Sequence, residues 1–86
     1  MFNGIIYNLG KVKNVSKKRN SLMLEISSKI KLNSADIGSS ICCNGVCLTL
    51  VFVRKNILKF YLSIETLKKT NFKKIKVGDN INLEKS

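Results

Sequence analysis

Residues 21–28, SLMLEISS, place Leu22, Leu24 and Ile26 on one side of an extended chain and Met23, Glu25 and Ser27 on the other, the period-two pattern of a half-buried strand. The same alternation recurs in ILKFYLSI, where Leu58, Phe60, Leu62 and Ile64 oppose Lys59, Tyr61 and Ser63. Between them, residues 46–53, VCLTLVFV, are almost wholly apolar and rich in β-branched side chains, which predicts a strand wrapped on both sides or closing a barrel. Arg54 to Asn56 supply a tight polar turn, so these two strands form a hairpin. Upstream, GIIYNLGKVKNV (4–15) reads as a long bent or bulged strand, and KKRNS as the polar turn after it.

Two segments break the alternation. KLNSADIGSS reads as a connection with one helical turn, capped by Asn33 or Ser34 and stopped by Gly38. ETLKKTNF changes period, and Thr66 to Phe72 are expected to form a helix of about two turns. A Gly-Asp turn at 78–79 and a strand from Asn80 to Leu83 close the chain. The sum is five or six strands with one or two short helices and no strand-helix-strand spacing. That predicts an all-β fold, a small closed barrel, because a chain of 86 residues has little else with which to cover two sheet edges.

Length and composition narrow the picture. Eighty-six residues make one domain with one core, and 44% hydrophobic against 24% charged residues exclude a disordered chain. The chain contains no proline, so glycines and polar residues must make every turn. Sixteen Lys and Arg against five acids give a net charge of +11, which favours polyanionic or phosphate-bearing partners or simply solvates the surface. An odd count of three cysteines argues against a disulfide framework. The opening MFNGII has no leader pattern and no apolar run reaches about 20 residues; a cytoplasmic, non-membrane location is the expectation.

The chemistry-bearing residues concentrate in SICCNGVCLTL (40–50). A zinc knuckle requires ligand pairs about two residues apart, four in all; Cys42, Cys43 and Cys47 lack that spacing, and there is no histidine in the chain. The absence of histidine also excludes Ser-His-Asp and Cys-His catalysis. No metal and no cofactor is expected. Asn44-Gly45 bends the chain, and Cys47 and Thr49 then share one side of the following strand. The plainer alternative makes the three cysteines small buried hydrophobes. A basic barrel with Phe2, Tyr7, Phe52, Phe60, Tyr61 and Phe72 also fits single-stranded nucleic acid, although most of these aromatics fall in core alternation and the lysines form no single stripe.

Three motifs in order, MFNGII, GSSICCNGVCLTL and ETLKKTNF…KVGDNINLE, make the chain similar to the N-terminal lumazine-binding domain of riboflavin synthase, from Met1 through Glu84. That family opens Met-Phe-Thr-Gly-Ile; Asn3 stands here for the threonine and keeps a hydrogen-bonding side chain. The resemblance implies a six-stranded Greek-key barrel over residues 1–86, with the second of the family's tandem barrels absent. It implies a transferase reaction without metal or cofactor: two molecules of 6,7-dimethyl-8-ribityllumazine exchange a four-carbon unit, giving riboflavin and 5-amino-6-(D-ribitylamino)uracil. In the family a homotrimer stacks one ligand in the first barrel of one subunit against another in the second barrel of its neighbour.

Carried residue by residue, the resemblance implies ring-binding segments at Gly4, Ile5 and Ile6 and at Cys47, Leu48 and Thr49. A third segment spans Tyr61, Leu62, Ser63, Ile64, Glu65 and Thr66, with Glu65 and Thr66 toward the ribityl chain and Leu62 or Ile64 near the ring face. Ser40 and Cys47 correspond to the polar pair implicated in turnover. A lone barrel is expected to bind lumazine or riboflavin with little or no turnover, as a dimer with its own copy. A non-catalytic flavin or lumazine carrier is the second reading; nucleic acid and membrane are not expected partners.

Overall fold

The computed structural model describes residues 8–85. Six strands form: β1 (Asn8–Lys17), β2 (Ser21–Ser28), β3 (Ser40–Cys43), β4 (Val46–Arg54), β5 (Ile57–Ser63) and β6 (Asn80–Lys85). One α-helix, α1 (Ile64–Lys69), follows β5, and single 3₁₀ turns lie at Ser34–Asp36 and Phe72–Lys74. The strands pair antiparallel in the order β1-β2-β5-β4-β3-β6, and β6 returns to β1 to close the barrel. After the β1–β2 hairpin the chain crosses to start β3 between the future positions of β4 and β6, the Greek-key crossing that the fold class requires.

Alternation sets the core. Leu22, Leu24 and Ile26 of β2, and Leu58, Phe60 and Leu62 of β5, point inward and are buried, as their period predicts. Val12, Ile41, Cys43, Leu48, Leu50, Ile81 and Leu83 complete the interior with them. Gly10 also faces inward: a Cβ there would lie 2.6 Å from Ile26 Cγ2 and 3.1 Å from Leu83 Cδ1. Only a residue without a side chain lets β1 lie this close to the branched residues of β2 and β6. Ser28, the one buried polar residue among the described residues, is satisfied on both sides: its hydroxyl donates to the Leu9 carbonyl at 3.1 Å and accepts the Ile30 N–H at 3.1 Å.

Two bulges shape the curvature. The β1 register slips between Val12 and Asn14, and the β4 register slips between Leu50 and Phe52, each adding local twist where a small barrel must bend. The second bulge leaves Val51 on the outside. Beyond it Phe52 stands opposite Lys59, whose Nζ sits 4.8 Å from the ring centroid.

Two expectations are corrected. Of the two alternatives for VCLTLVFV, the strand closes a barrel and is not covered on both sides: Leu48 and Leu50 are buried while Cys47, Thr49 and Val51 are exposed, because the barrel has a single inner face and the apolar residues outnumber its inward positions. Ile64 is not the next core residue of β5. Ser63 caps a helix, its hydroxyl accepting the Thr66 N–H at 3.3 Å, so α1 begins at Ile64 instead of Thr66, and Ile64 stays 37% exposed. Helix capping overrides strand alternation at that point. The bend expected at Asn44-Gly45 is present: SICC forms β3, and Asn44 (φ 50°) and Gly45 (φ 84°) make the two-residue turn into β4, the left-handed pair such hairpins favour. The 3₁₀ turn at Ser34–Asp36 matches its expected cap: the Asn33 side chain accepts the Ala35 N–H, and Asp36 accepts the Asn33 N–H, both at 2.8 Å.

Candidate functional site

Since one face of every strand fills the barrel, candidate site residues divide by parity. On β4, Cys47 and Thr49 face outward and Leu48 is buried between them. On β5, Tyr61 faces outward with 44% exposure and Leu62 is fully buried. Ser40 pairs with Thr49, and Thr49 pairs with Tyr61, so three hydroxyl-bearing residues form one transverse row over three strands, about 10 Å across at normal strand spacing. One step toward the Asn44-Gly45 turn, Cys42 and Cys47 form the next pair.

The structure thus brings together Ser40, Cys47, Thr49 and Tyr61 on one outer face. Leu48 and Leu62 share their strands but not that face: their side chains belong to the core, so only their backbone groups remain for a ligand. Gly4, Ile5 and Ile6 lie outside the described residues.

Where β5 ends, the row continues into α1. Ser63 Oγ lies 3.3 Å from Thr66 Oγ1, and Thr70 donates to the Thr66 carbonyl at 2.8 Å while accepting the Phe72 N–H at 3.2 Å. These hydroxyls fold the helix and anchor Phe72, which is buried in the core. Glu65 is exposed in the first turn of α1 and Thr66 is half-buried. The Ser63–Thr66 turn therefore fixes where a carboxylate and a hydroxyl stand beside the outer row.

The three cysteines are not equivalent, which corrects the reading of all three as buried hydrophobes. Cys43 points into the barrel, its Sγ donating to the Ile41 carbonyl at 3.6 Å. Burial pushes its thiol up to about 12, with smaller contributions from Cys42 and Cys47, so it is inert at neutral pH. Cys42 is half-buried and Cys47 exposed. Among the described residues no cluster of three His, Cys, Asp or Glu side chains is placed to hold a metal.

Two hollows lie elsewhere, neither lined by a residue of this row. One, of about 310 Å³, is lined by Asn44, Val46, Lys69, Thr70, Phe72 and Ile75 among others. The other, of about 470 Å³, lies around Leu9, Gly10, Lys29 and Asn56. No local pattern in the sequence marks either; the first lies where the end of α1 and the loop after it meet the β3–β4 turn, residues 23 or more apart in the chain. The outer row itself is exposed to solvent.

The fold and the face define a class: a small closed Greek-key barrel whose β4, β5 and α1 present polar groups outward. Residues 3–86 match the family model of the lumazine binding domain, and the chain belongs to that family. It is similar to riboflavin synthase of Photobacterium phosphoreum, with 39% identity over the whole of this chain and 40% of that enzyme. The riboflavin synthase of Escherichia coli (strain K12) is 34% identical over the whole chain and 41% of the enzyme. The chain spans about two-fifths of the length of these relatives. Among solved structures, the crystal structure of LumP complexed with 6,7-dimethyl-8-(1'-D-ribityl) lumazine superimposes with a TM-score of 0.78 at 25% identity, covering all of this chain and 49% of that one. As for location, no helix among the described residues is long and apolar enough to cross a membrane.

Proposed function

We propose that residues 1–86 form one lumazine-binding barrel that holds 6,7-dimethyl-8-ribityllumazine, or riboflavin, against the outer face of β4 and β5. The observation that carries this reading is the placement of Cys47, Thr49 and Tyr61 side by side on that face, in a chain that belongs over nearly its whole length to the lumazine-binding family. A flat heterocycle bearing alternating donors and acceptors suits backbone amides of 47–49 at the ring edge with Tyr61 beside its face. The ribityl hydroxyls then reach toward Glu65 and Thr66.

The reaction proposed for the site is half of a dismutation. One lumazine on this face acts only when a second is stacked against it by another barrel, in a two-barrel chain assembled as a trimer or in a second copy of this one. Four carbons pass from one ring to the other, yielding riboflavin and the ribitylaminouracil. Cys47, with Ser40 two strand steps away, is the group assigned to addition at the ring. Orientation supplies most of the rate, so the lone barrel binds ligand and turns it over slowly or not at all. A carrier that binds lumazine without reacting it is the second reading, favoured by the likeness to LumP, whose structure holds that ligand.

Titration of the chain with 6,7-dimethyl-8-ribityllumazine, followed by ligand fluorescence and by riboflavin appearance, tests the proposal. Saturable binding supports the barrel as the ligand-holding half. Riboflavin formation lost in Cys47→Ser with binding retained identifies a dimer that catalyses. Saturation without riboflavin, even when a second barrel is supplied, identifies a carrier.

A further inference from the structure

The β3–β4 hairpin carries two thiols whose arrangement serves no purpose in the core. Cys42 and Cys47 are direct cross-strand partners. The inward positions flanking Cys42 are Ile41 and Cys43, both buried, so Cys42 itself points outward, to the same side as Cys47. One thiol is half-buried and the other exposed, and both are free.

Which kind of antiparallel pair they make follows from the ladder. The two-residue turn Asn44-Gly45 makes Cys43 and Val46 the closing hydrogen-bonded pair, and such pairs then alternate. The far end of the ladder agrees: the Leu50 N–H donates to the Ser39 carbonyl at 3.0 Å, as the hydrogen-bonded pair two steps beyond Ile41 and Leu48 does. Cys42 and Cys47 are therefore a non-hydrogen-bonded pair, the kind in which Cα atoms approach to about 4.5 Å and side chains stand closest. That separation lies inside the range of about 4.4–6.8 Å found across disulfides. The Cβ atoms need to draw together by about 1 Å, a small movement for a strand of four residues beside a glycine turn.

We propose that Cys42 and Cys47 form an oxidisable dithiol, which a peroxide converts to a cross-strand disulfide on the outer face of the barrel. The exposed Cys47, as thiolate, attacks one peroxide oxygen and becomes a sulfenic acid as the O–O bond breaks and hydroxide leaves. The Cys42 thiolate then attacks the Cys47 sulfur, the S–O bond breaks and a second hydroxide leaves. The protons released by the thiols convert both hydroxides to water, and the two electrons end on the peroxide oxygens. Cys43 takes no part, because its sulfur lies inside the barrel with its proton turned to the Ile41 carbonyl.

The consequence for binding rests on the lumazine reading given above. Closing the bond draws the Cys47 sulfur toward β3, away from Tyr61 on β5, and removes the free thiol from the face assigned to the ring. Oxidation thus weakens the site and reduction restores it. Cys42, which has no place in the assigned site, becomes the partner that protects Cys47 from irreversible oxidation.

The test needs no ligand in its first arm. The reduced chain is treated with hydrogen peroxide and its intact mass measured without reductant, alongside Cys42→Ser and Cys43→Ala. The wild type and Cys43→Ala are expected to lose the mass of two hydrogens and regain it with dithiothreitol. Cys42→Ser is expected to gain oxygen instead. Oxygen addition to the wild type, a linked dimer, or loss of the bond in Cys43→Ala overturns the dithiol. In the second arm the same samples are titrated with 6,7-dimethyl-8-ribityllumazine. The expected result is weaker binding by the oxidised wild type and its recovery on reduction; equal binding by the two forms overturns the withdrawal of Cys47. Failure of the reduced chain to bind overturns the lumazine reading and the consequence drawn from it, while the masses decide the dithiol independently.

Discussion

Asn44 and Asn82 hold each other twice: the Asn44 N–H donates to the Asn82 carbonyl at 2.8 Å, and the Asn82 N–H donates to the Asn44 Oδ1 at 2.7 Å. The side chain continues the β3–β6 ladder around the corner of the turn that starts β4. Asn also tolerates the left-handed φ of 50° at this position. Asn44→Ala loses both features and is expected to cost about 1–3 kcal/mol. Asn44→Gly keeps the backbone conformation and should cost less. Urea unfolding, read as a shift of midpoint at unchanged slope, checks the order.

Gly10 is required by packing rather than by its backbone. Gly10→Ala drives a methyl into Ile26 and Leu83, and overpacking a closed core costs about 1–3 kcal/mol. The same unfolding measurement should show a loss in that range, and a neutral or stabilising result would contradict the close approach of β1 to its neighbours.

Ser28→Ala leaves the Ile30 N–H and the Leu9 carbonyl without the hydroxyl that now serves both. The expected loss is about 1–3 kcal/mol, larger than for truncation of an exposed serine such as Ser34, which should stay within about 0.5 kcal/mol.

Cys43 gives the chain an alkaline signature. Its thiol titrates near 9.0 when unfolded and is pushed up to about 12 by burial in the folded barrel. Between those values the unfolded chain releases the proton and the folded one keeps it. Unfolding is therefore favoured as pH rises, and stability present below pH 9 falls progressively toward pH 12. The difference in unfolding free energy between the wild type and Cys43→Ala should shrink across that window. A thiol reagent at neutral pH should label Cys47 and spare Cys43 until the chain unfolds.

The proposed site sets Tyr61 beside the ring. Tyr61→Ala removes an exposed side chain and should leave stability within about 0.5 kcal/mol while weakening lumazine affinity by about 5- to 150-fold, as loss of about 1–3 kcal/mol of ring contact requires. Equal affinity in the variant would move the ring off β5.

The strands were legible wherever a single face is buried. Leu22, Leu24, Ile26, Leu58, Phe60 and Leu62 alternate in sequence and occupy the core in space, because a barrel wall enforces a period of two. VCLTLVFV hid its period, since outward Val51 at a bulge is as apolar as inward Leu50. Ile64 continued the alternation on paper, but the Ser63 cap outweighed it. The outer row was half legible: the two-residue spacing put Cys47 and Thr49 on one side, whereas Ser40 and Tyr61 join them only through register, which adjacent spacing does not encode. The tie from Asn44 to Asn82 spans 38 residues, and no local pattern announces it.

The measurement that bears most directly on the central claim is equilibrium titration of the purified, reduced chain with 6,7-dimethyl-8-ribityllumazine, using Tyr61→Ala and Thr49→Ala as companions of unchanged fold. The account predicts saturable binding by the wild type and weaker binding by both variants. No saturable binding by a folded wild-type barrel would contradict it.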